Sequence, residues 1–229
     1  MVISCINTKG GVGKSTLAGN LVGWLHRSHS SVALVDCDHQ RSSSNWISQA
    51  LPDLPIIRLD NADAVLDELP RLACQFDFVI ADGPGSNTEV NRAIMLWTDL
   101  AVVPCKASMF EASALQCHIS VIRQAQRIRN GPPLVMAVLS MVGQRFRLTH
   151  DMRKAAESIG IRVAESQLSL RQAFADAPGQ ATFVWEMGSS AKRAELELVK
   201  VLNEIFSDVP LLKDFRNPDL SPNQTKMKE

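Results

Sequence analysis

Three short stretches of this 229-residue chain carry residue types suited to phosphate chemistry. The first is Asn7-Thr8-Lys9-Gly10-Gly11-Val12-Gly13-Lys14-Ser15-Thr16. Glycines at 10, 11 and 13 let the backbone turn tightly and aim its N–H groups at phosphate oxygens. A helix starting there adds positive partial charge at the same point. Lys14 is spaced to reach the β- and γ-phosphates of a nucleotide, and the Ser15 hydroxyl to ligate Mg²⁺. The usual loop reads G-x-x-x-x-G-K-[ST]. Here Thr8 holds the first glycine position, and a second lysine, Lys9, follows it. Lys9 is either a solvated surface lysine or one that points out of its own site toward a facing subunit. The second stretch, Val35-Asp36-Cys37-Asp38-His39-Gln40, puts two carboxylates at the end of an apolar run. Beside a phosphate loop, such acids serve a metal or a water more readily than they serve as ordinary loop acids. The third, Phe78-Val79-Ile80-Ala81-Asp82-Gly83-Pro84-Gly85, delivers one carboxylate, Asp82, toward Mg²⁺ and its waters. Its Gly-Pro-Gly turn suits a loop that senses the γ-phosphate.

The elements that must position these groups are legible as alternation. Val2–Ile6, Val32–Val35, Phe78–Ala81, Leu100–Val103 and Leu134–Leu139 are near-continuously apolar, as parallel strands covered on both faces are. Between them, Ser15–Arg27, Ala62–Cys74, Thr88–Leu96, Ala112–Arg129 and Thr149–Ile159 read as helices. Lys192–Phe206 repeats Leu198, Val199, Leu202, Ile205 and Phe206 at helical spacing and is predicted to cover one sheet face. The fold class is therefore α/β, a doubly wound and mostly parallel sheet flanked by helices. Residues 1–212 are expected to form a single P-loop domain. Residues 213–229, polar and carrying Pro218 and Pro222, are expected to be a flexible tail.

Composition narrows the class. Hydrophobic residues are 45% and charged residues 21%, which fits a globular protein rather than a disordered one. No apolar stretch of about 18 residues occurs, and Met1 leads directly into a strand with no secretory pattern, so a cytoplasmic protein without membrane attachment is expected. The five cysteines (5, 37, 74, 105 and 117) show no C-x-x-C, and the five histidines show no H-x-x-x-H. Reduced thiols, with no disulfide framework and no protein metal cage, follow from that.

The segment KGGVGKST, residues 9–16, is the deviant Walker A box of the ParA/MinD ATPases, and the chain resembles that family over most of its length. Asp36 to Trp46 resembles the family's D-x-D-P-Q-x-S-x-x-x-W segment, with His39 in place of the proline. Phe78–Asp82 resembles its Walker B strand, though Gly83 and Gly85 depart from the frequent D-T-P-P. The resemblance implies ATP and Mg²⁺ as cofactors and an ATP-dependent homodimer in which Lys9 reaches the partner's nucleotide. It implies Lys9, Lys14, Asp38 and Asp82 as catalytic, with Asp38 orienting the attacking water. The nucleotide is held by Lys9, Gly10, Gly11, Val12, Gly13, Lys14, Ser15 and Thr16. The metal is held by Ser15, Asp36 and Asp82, with Asp36 acting through water.

Within the family, the cysteines do not fit the iron–sulfur branch. Asn217–Glu229, with Leu220 and Met227 as its only large apolar residues, is not expected to form a membrane-binding amphipathic helix, and with a first strand at Val2 no operator-binding domain is expected. The chain is thus similar to the short ParA proteins, meaning ParF-like partition ATPases and McdA-type carboxysome-positioning ATPases. Phe183–Leu198 also looks like the ParF C-terminal region. This branch implies non-specific DNA binding, association with the nucleoid, and an adaptor or ParB-like protein that stimulates hydrolysis.

Charge bears on the DNA expectation. Lys plus Arg equals Asp plus Glu at 24 each, yet residues 60–122 hold nine acids and three bases, while residues 123–154 hold seven bases and one acid. Arg123, Arg127, Arg129, Arg145, Arg147, Arg153 and Lys154 form the basic set, and Lys192 and Arg193 add to it. The predicted DNA contacts are Arg145, Arg147, Arg153, Lys154, Lys192 and Arg193. With no aromatic residues interleaved, they address phosphates. Two other functions use the same fold: a nucleotide-gated scaffold or filament acting without DNA, and a small-molecule phosphotransferase. For the latter the chain shows no acceptor or lid motif. Ser140–Met141, after the Leu134–Leu139 strand, are candidates to line the adenine pocket.

Overall fold

A computed structural model of the chain describes residues 1–86, 89–106, 109–143, 153–154, 156–158 and 160–207, with backbone alone for 109–118. Seven strands alternate with helices: β1 (Val2–Cys5), α1 (Lys14–Arg27), β2 (Val32–Asp36), α2 (Ser42–Ala50), β3 (Ile56–Arg58), α3 (Ala62–Gln75), β4 (Phe78–Asp82), α4 (Glu89–Trp97), β5 (Leu100–Cys105), α5 (Met109–Arg129), β6 (Leu134–Leu139), β7 (Arg162–Val163), α6 (Gln172–Gly179) and α7 (Lys192–Ser207). The strands make one sheet in the order β3-β2-β4-β1-β5-β6-β7. Every pairing is parallel.

The order explains the site. β1 is central, between β4 and β5, and the loop after it opens where the winding reverses, the usual ligand crevice of such sheets. Cys5 at the end of β1 registers with Asp82 at the end of β4, and Asp36 at the end of β2 registers with Asp82 from the other side. One strand edge thus gathers the carboxylates. β1, β2, β4 and β5 are buried at every residue, as the apolar runs require.

Two apolar layers cover the sheet. Leu17, Leu21 and Trp24 of α1, Trp46 and Ile47 of α2 and Leu198, Leu202 and Phe206 of α7 fill one face. Val65 and Leu69 of α3, Ile94 of α4 and Ile122 of α5 fill the other. The face under α1 is tightened by glycine. A Cβ on Gly19 would sit 2.2 Å from Trp46 Cζ3, and one on Gly23 would sit 2.3 Å from Phe183 Cε1. Trp46, Phe183, Trp185 and Trp24 continue as an aromatic chain, with the Phe183 and Trp185 rings stacked at 4.9 Å. Trp46 Nε1 donates to Thr182 O at 3.1 Å, tying α2 to the segment that leads into α7.

Four elements were not legible in sequence, among them α6, which is only eight residues long and contains Pro178. β3 has three residues, half-buried or exposed at the sheet edge, too short for a periodic signal. β7 has two. α2 begins with three serines, poor helix formers, and is held by the carboxylate described below. The predicted Thr149–Ile159 helix is helical at Arg153, Lys154 and 156–158, and its other positions lie outside the described residues. So do Thr88 and residues 213–229.

Candidate nucleotide-binding site

The loop between β1 and α1 is braced before any ligand is considered. Asn7 Nδ2 donates to Pro104 O at 2.8 Å, and Asn7 Oδ1 accepts the Lys9 N–H at 2.9 Å, so one buried side chain fixes the loop's start to β5. Gly11 and Gly13 adopt φ of 67° and 95°, left-handed values that favour glycine. Ser140 donates its hydroxyl to Val12 O, and its Oγ would lie 3.6 Å from a Cβ on Gly13. Ser140 therefore supports the phosphate loop from the end of β6. Asn7 was missed in sequence because a single polar residue after a strand has no pattern.

Lys14 starts α1 and is buried. Its Nζ donates to Lys9 O at 3.0 Å, so its ammonium lies within the loop. Burial lowers its pKa from the ordinary lysine value, and Asp82 and Asp38 act against that fall. Ser15 and Thr16 follow, half-buried, in the first turn of α1. That turn carries no acidic residue, which leaves the positive end of the helix uncompensated.

The carboxylates divide their tasks. Asp36 is fully buried, with Oδ1 accepting the Asp38 N–H at 3.0 Å and Oδ2 accepting the Ser44 N–H at 2.9 Å. It is therefore the N-terminal anchor of α2, a task beyond the predicted metal role. Asp38 is half-buried, and its Oδ1 accepts the Gln40 N–H at 2.9 Å. Asp82 is fully buried, and neither of its oxygens makes a well-formed hydrogen bond among the described residues. Burial pushes its carboxyl up to about 7. The Ser15 and Ser43 hydroxyls beside it and Lys14 pull down, and Asp36 pushes up. A buried carboxylate with the Ser15 and Ser43 hydroxyls and Lys14 beside it, but no well-formed hydrogen bond among the described residues, fits a hard divalent cation that prefers oxygen ligands. Ser43, also buried, joins this group although its serine-rich surroundings gave no signal.

The Gly83–Gly85 turn lies on the phosphate loop. A Cβ on Gly85 would stand 3.4 Å from both Gly10 Cα and Lys14 Nζ. A Cβ on Gly83 would meet Asn91 Oδ1 at 2.7 Å and Ile6 Cγ2 at 2.9 Å, so only glycine fits there. Asn91 of α4 donates to Pro84 O at 3.1 Å and to Ser86 O, linking that helix to the turn.

The predicted DNA contacts are less uniform. Arg145 and Arg147 lie outside the described residues. Arg153 donates to Ala164 O and Glu165 O, so its guanidinium supports the chain after β7. Lys192 pairs with Glu195 at 2.9 Å, while Lys154 and Arg193 are exposed. Arg129 is taken up by Asp99 at 2.9 Å. Among the described residues no helix is long and apolar enough to cross a membrane, and no cluster of His, Cys, Asp and Glu forms a separate metal cage.

Comparison with known proteins agrees with this geometry. A family model described as the CobQ/CobB/MinD/ParA nucleotide binding domain matches residues 3–182. The chain is 27% identical over 210 residues to the maintenance of carboxysome distribution protein A of Halothiobacillus neapolitanus, covering 89% of this chain and 95% of that protein. Its fold is similar to that of an ATP complex of a McdA variant from Cyanothece (TM-score 0.73, 14% identity, 89% of this chain and 95% of that one). It is also similar to a plasmid partition protein of Borrelia burgdorferi B31 bound to AMPPNP (TM-score 0.68, 16% identity, 91% and 99%). The chain belongs to the CobQ/CobB/MinD/ParA nucleotide-binding family and is an ATPase of the ParA/MinD type.

Proposed function

We propose that this ATPase positions or partitions a cargo by binding DNA as an ATP-bridged homodimer and releasing it after hydrolysis. What carries the reading is the gathering of Lys14, Ser15, Asp36, Asp38 and Asp82 at one sheet edge behind a two-lysine loop. The full-length likeness to a carboxysome distribution protein supports the cargo class, a carboxysome or a plasmid.

The loop amides from Gly10 to Thr16 and the Lys14 ammonium hold the β- and γ-phosphates of ATP. Ser15 and Asp82 hold Mg²⁺, with Asp36 behind them. When bound, the ion neutralises charge on the phosphoryl oxygens. Asp38 orients water for in-line attack on the γ-phosphate, and Lys9 reaches the partner's nucleotide. The Gly83–Gly85 turn registers whether the γ-phosphate is present. An adaptor or ParB-like protein raises slow intrinsic turnover, and the protein works in the cytoplasm on the nucleoid.

DNA is held through phosphates, with exposed Lys154 and Arg193 as the leading contacts, Lys192 as a further one, and Arg145 and Arg147, outside the described residues, kept as candidates; Arg153 is spent on Ala164 O and Glu165 O. One small patch gives non-specific Kd values of about 10⁻⁴–10⁻⁶ M. Pairing two patches gains roughly a hundredfold or more. Gel shifts with ATP, ADP and no nucleotide test the switch, with retardation expected under ATP alone. Equal retardation in all three would refute it. Lys9→Ala is expected to keep nucleotide binding and lose dimerisation and turnover. A Lys9→Ala protein that dimerises and hydrolyses like wild type removes the role across the interface.

A further inference from the structure

We infer that Arg41 and Asp60 form a clamp that sets the position of Asp38, making both positioning residues for hydrolysis. The inference rests on reading Asp38 as the carboxylate that orients water.

The loop after β2 is a tight turn. Arg41 N donates to Asp38 O at 2.9 Å, while Asp38 Oδ1 accepts from Gln40 N. Arg41 itself has φ 54°, a left-handed value that disfavours a residue with a Cβ. Nothing about the turn requires arginine, since glycine would enter it without cost. The side chain supplies the reason. Its Nη1 donates to Asp36 O at 2.5 Å, and its Nη2 pairs with the Asp60 carboxylate. The Arg41 side chain is mostly buried, at 18% exposure.

The clamp spans two segments. Asp36 O also accepts Leu59 N at 3.1 Å, so Arg41 grips the point where β2 and the segment after β3 meet. Asp60 directly precedes Asn61, whose side chain caps α3 by accepting Ala64 N at 2.8 Å. A second brace runs nearby. Arg58 of β3 donates to Ser44 Oγ at 3.0 Å and to Asn45 Oδ1 at 3.3 Å. The edge of the sheet and the start of α3 thus hold the turn that carries Asp38 from outside. The planar fork of arginine reaches a carbonyl and a carboxylate together, which a lysine ammonium does less well. His39, 3.6 Å from Asp60, is largely exposed and adds little.

The test uses the full chain with saturating Mg²⁺ and ATP and reads phosphate release. Arg41→Gly removes the guanidinium and relieves the backbone, so the fold is kept. It is expected to lower kcat by about tenfold or more, as small misplacements of reacting groups do. The KM for ATP and the affinity for ADP stay within about twofold. Asp60→Asn is expected to do the same to a smaller degree, and Arg41→Lys to recover part of the loss. The double variant Arg41→Gly/Asp60→Asn should be no slower than Arg41→Gly alone, because both remove one interaction. Wild-type kcat in Arg41→Gly, fully additive losses, or a raised KM with unchanged kcat would overturn the clamp. Should Arg41→Gly fold poorly, wild-type kcat in Asp60→Asn overturns it equally. Asp38→Ala separates the two readings. If that variant is inactive and Arg41→Gly is not impaired, only the clamp fails. If Asp38→Ala hydrolyses like wild type, the assignment of Asp38 fails and the clamp with it.

Discussion

Asp36 Oδ1 accepts the backbone N–H of Asp38 at 3.0 Å, so within the acid pair one carboxylate holds the other in place. The pair looks symmetric as D-x-D but is not. Asp36 is fully buried and uses both oxygens on backbone amides, whereas Asp38 is half-buried and lies in the turn that follows.

That asymmetry predicts different failures. Asp36→Ala loses two charge-assisted hydrogen bonds and the anchor of α2, offset in part by no longer burying a carboxylate. The expected loss is about 2 kcal/mol, read as a lower denaturation midpoint with unchanged slope. Asp38→Ala is expected to stay within about 0.5 kcal/mol of wild type while turnover collapses. Equal stability of the two variants would mean that Asp36 does not anchor α2.

Asp82 predicts a pH dependence. Its carboxyl is raised from 3.8 to about 7, so the folded state holds this proton more tightly than the unfolded state. The stability contributed is complete below about pH 4, declines as pH rises, and is gone above about 7. Denaturation with a metal chelator present should therefore show wild type weakening between about pH 4 and about pH 7 relative to Asp82→Asn. The same variant should be the more stable of the two at pH 8 and lack Mg²⁺-dependent turnover. Mg²⁺ binding should strengthen as pH rises through 7, since the ion competes with the proton. Parallel pH profiles for the two proteins would contradict this.

Gly19 and Gly23 predict an inverted helix rule. Glycine to alanine inside a helix ordinarily gains about 1 kcal/mol. Here the new methyl groups would meet Trp46 at 2.2 Å and Phe183 at 2.3 Å, and overpacking costs about 1–3 kcal/mol. Gly19→Ala and Gly23→Ala should each destabilise by about 1–2 kcal/mol and change the near-ultraviolet signal of the tryptophans. Gly179→Ala, with nothing within 4 Å, should not. A stabilised Gly19→Ala would show that the aromatic chain yields freely.

The parts of the site legible in sequence are those made of neighbouring residues. Lys9–Thr16 is contiguous, and a glycine-rich loop between an apolar run and a helix has few other uses. Asp82 ends an apolar strand, and strand ends at one sheet edge are where such acids belong. The helix Lys192–Phe206 was visible because Leu198, Val199, Leu202, Ile205 and Phe206 fall at helical spacing within one segment. Arg41 had no such signal. Its importance depends on Asp60, 19 residues away, and on the carbonyl of Asp36. Asn7 and Ser140 brace the phosphate loop through partners about a hundred residues distant, Pro104 and Val12.

Sequence alone determined the parallel α/β class, the phosphate loop and the chemical identity of its acids, because local pattern and residue type carry those. It also determined that a neutral chain contains a basic segment after residue 122. Tertiary structure decided which acid anchors a helix and which is buried without a well-formed hydrogen bond among the described residues, because burial and hydrogen bonding depend on strands that meet only in the sheet. It also decided that Arg129 and Arg153 are spent on internal partners, which removes two cations from the surface that composition had counted. The order β4-β1-β5 put Asp82 beside the phosphate loop. A sequence does not display that order, because the chain visits β2 and β3 before it returns to pair with β1.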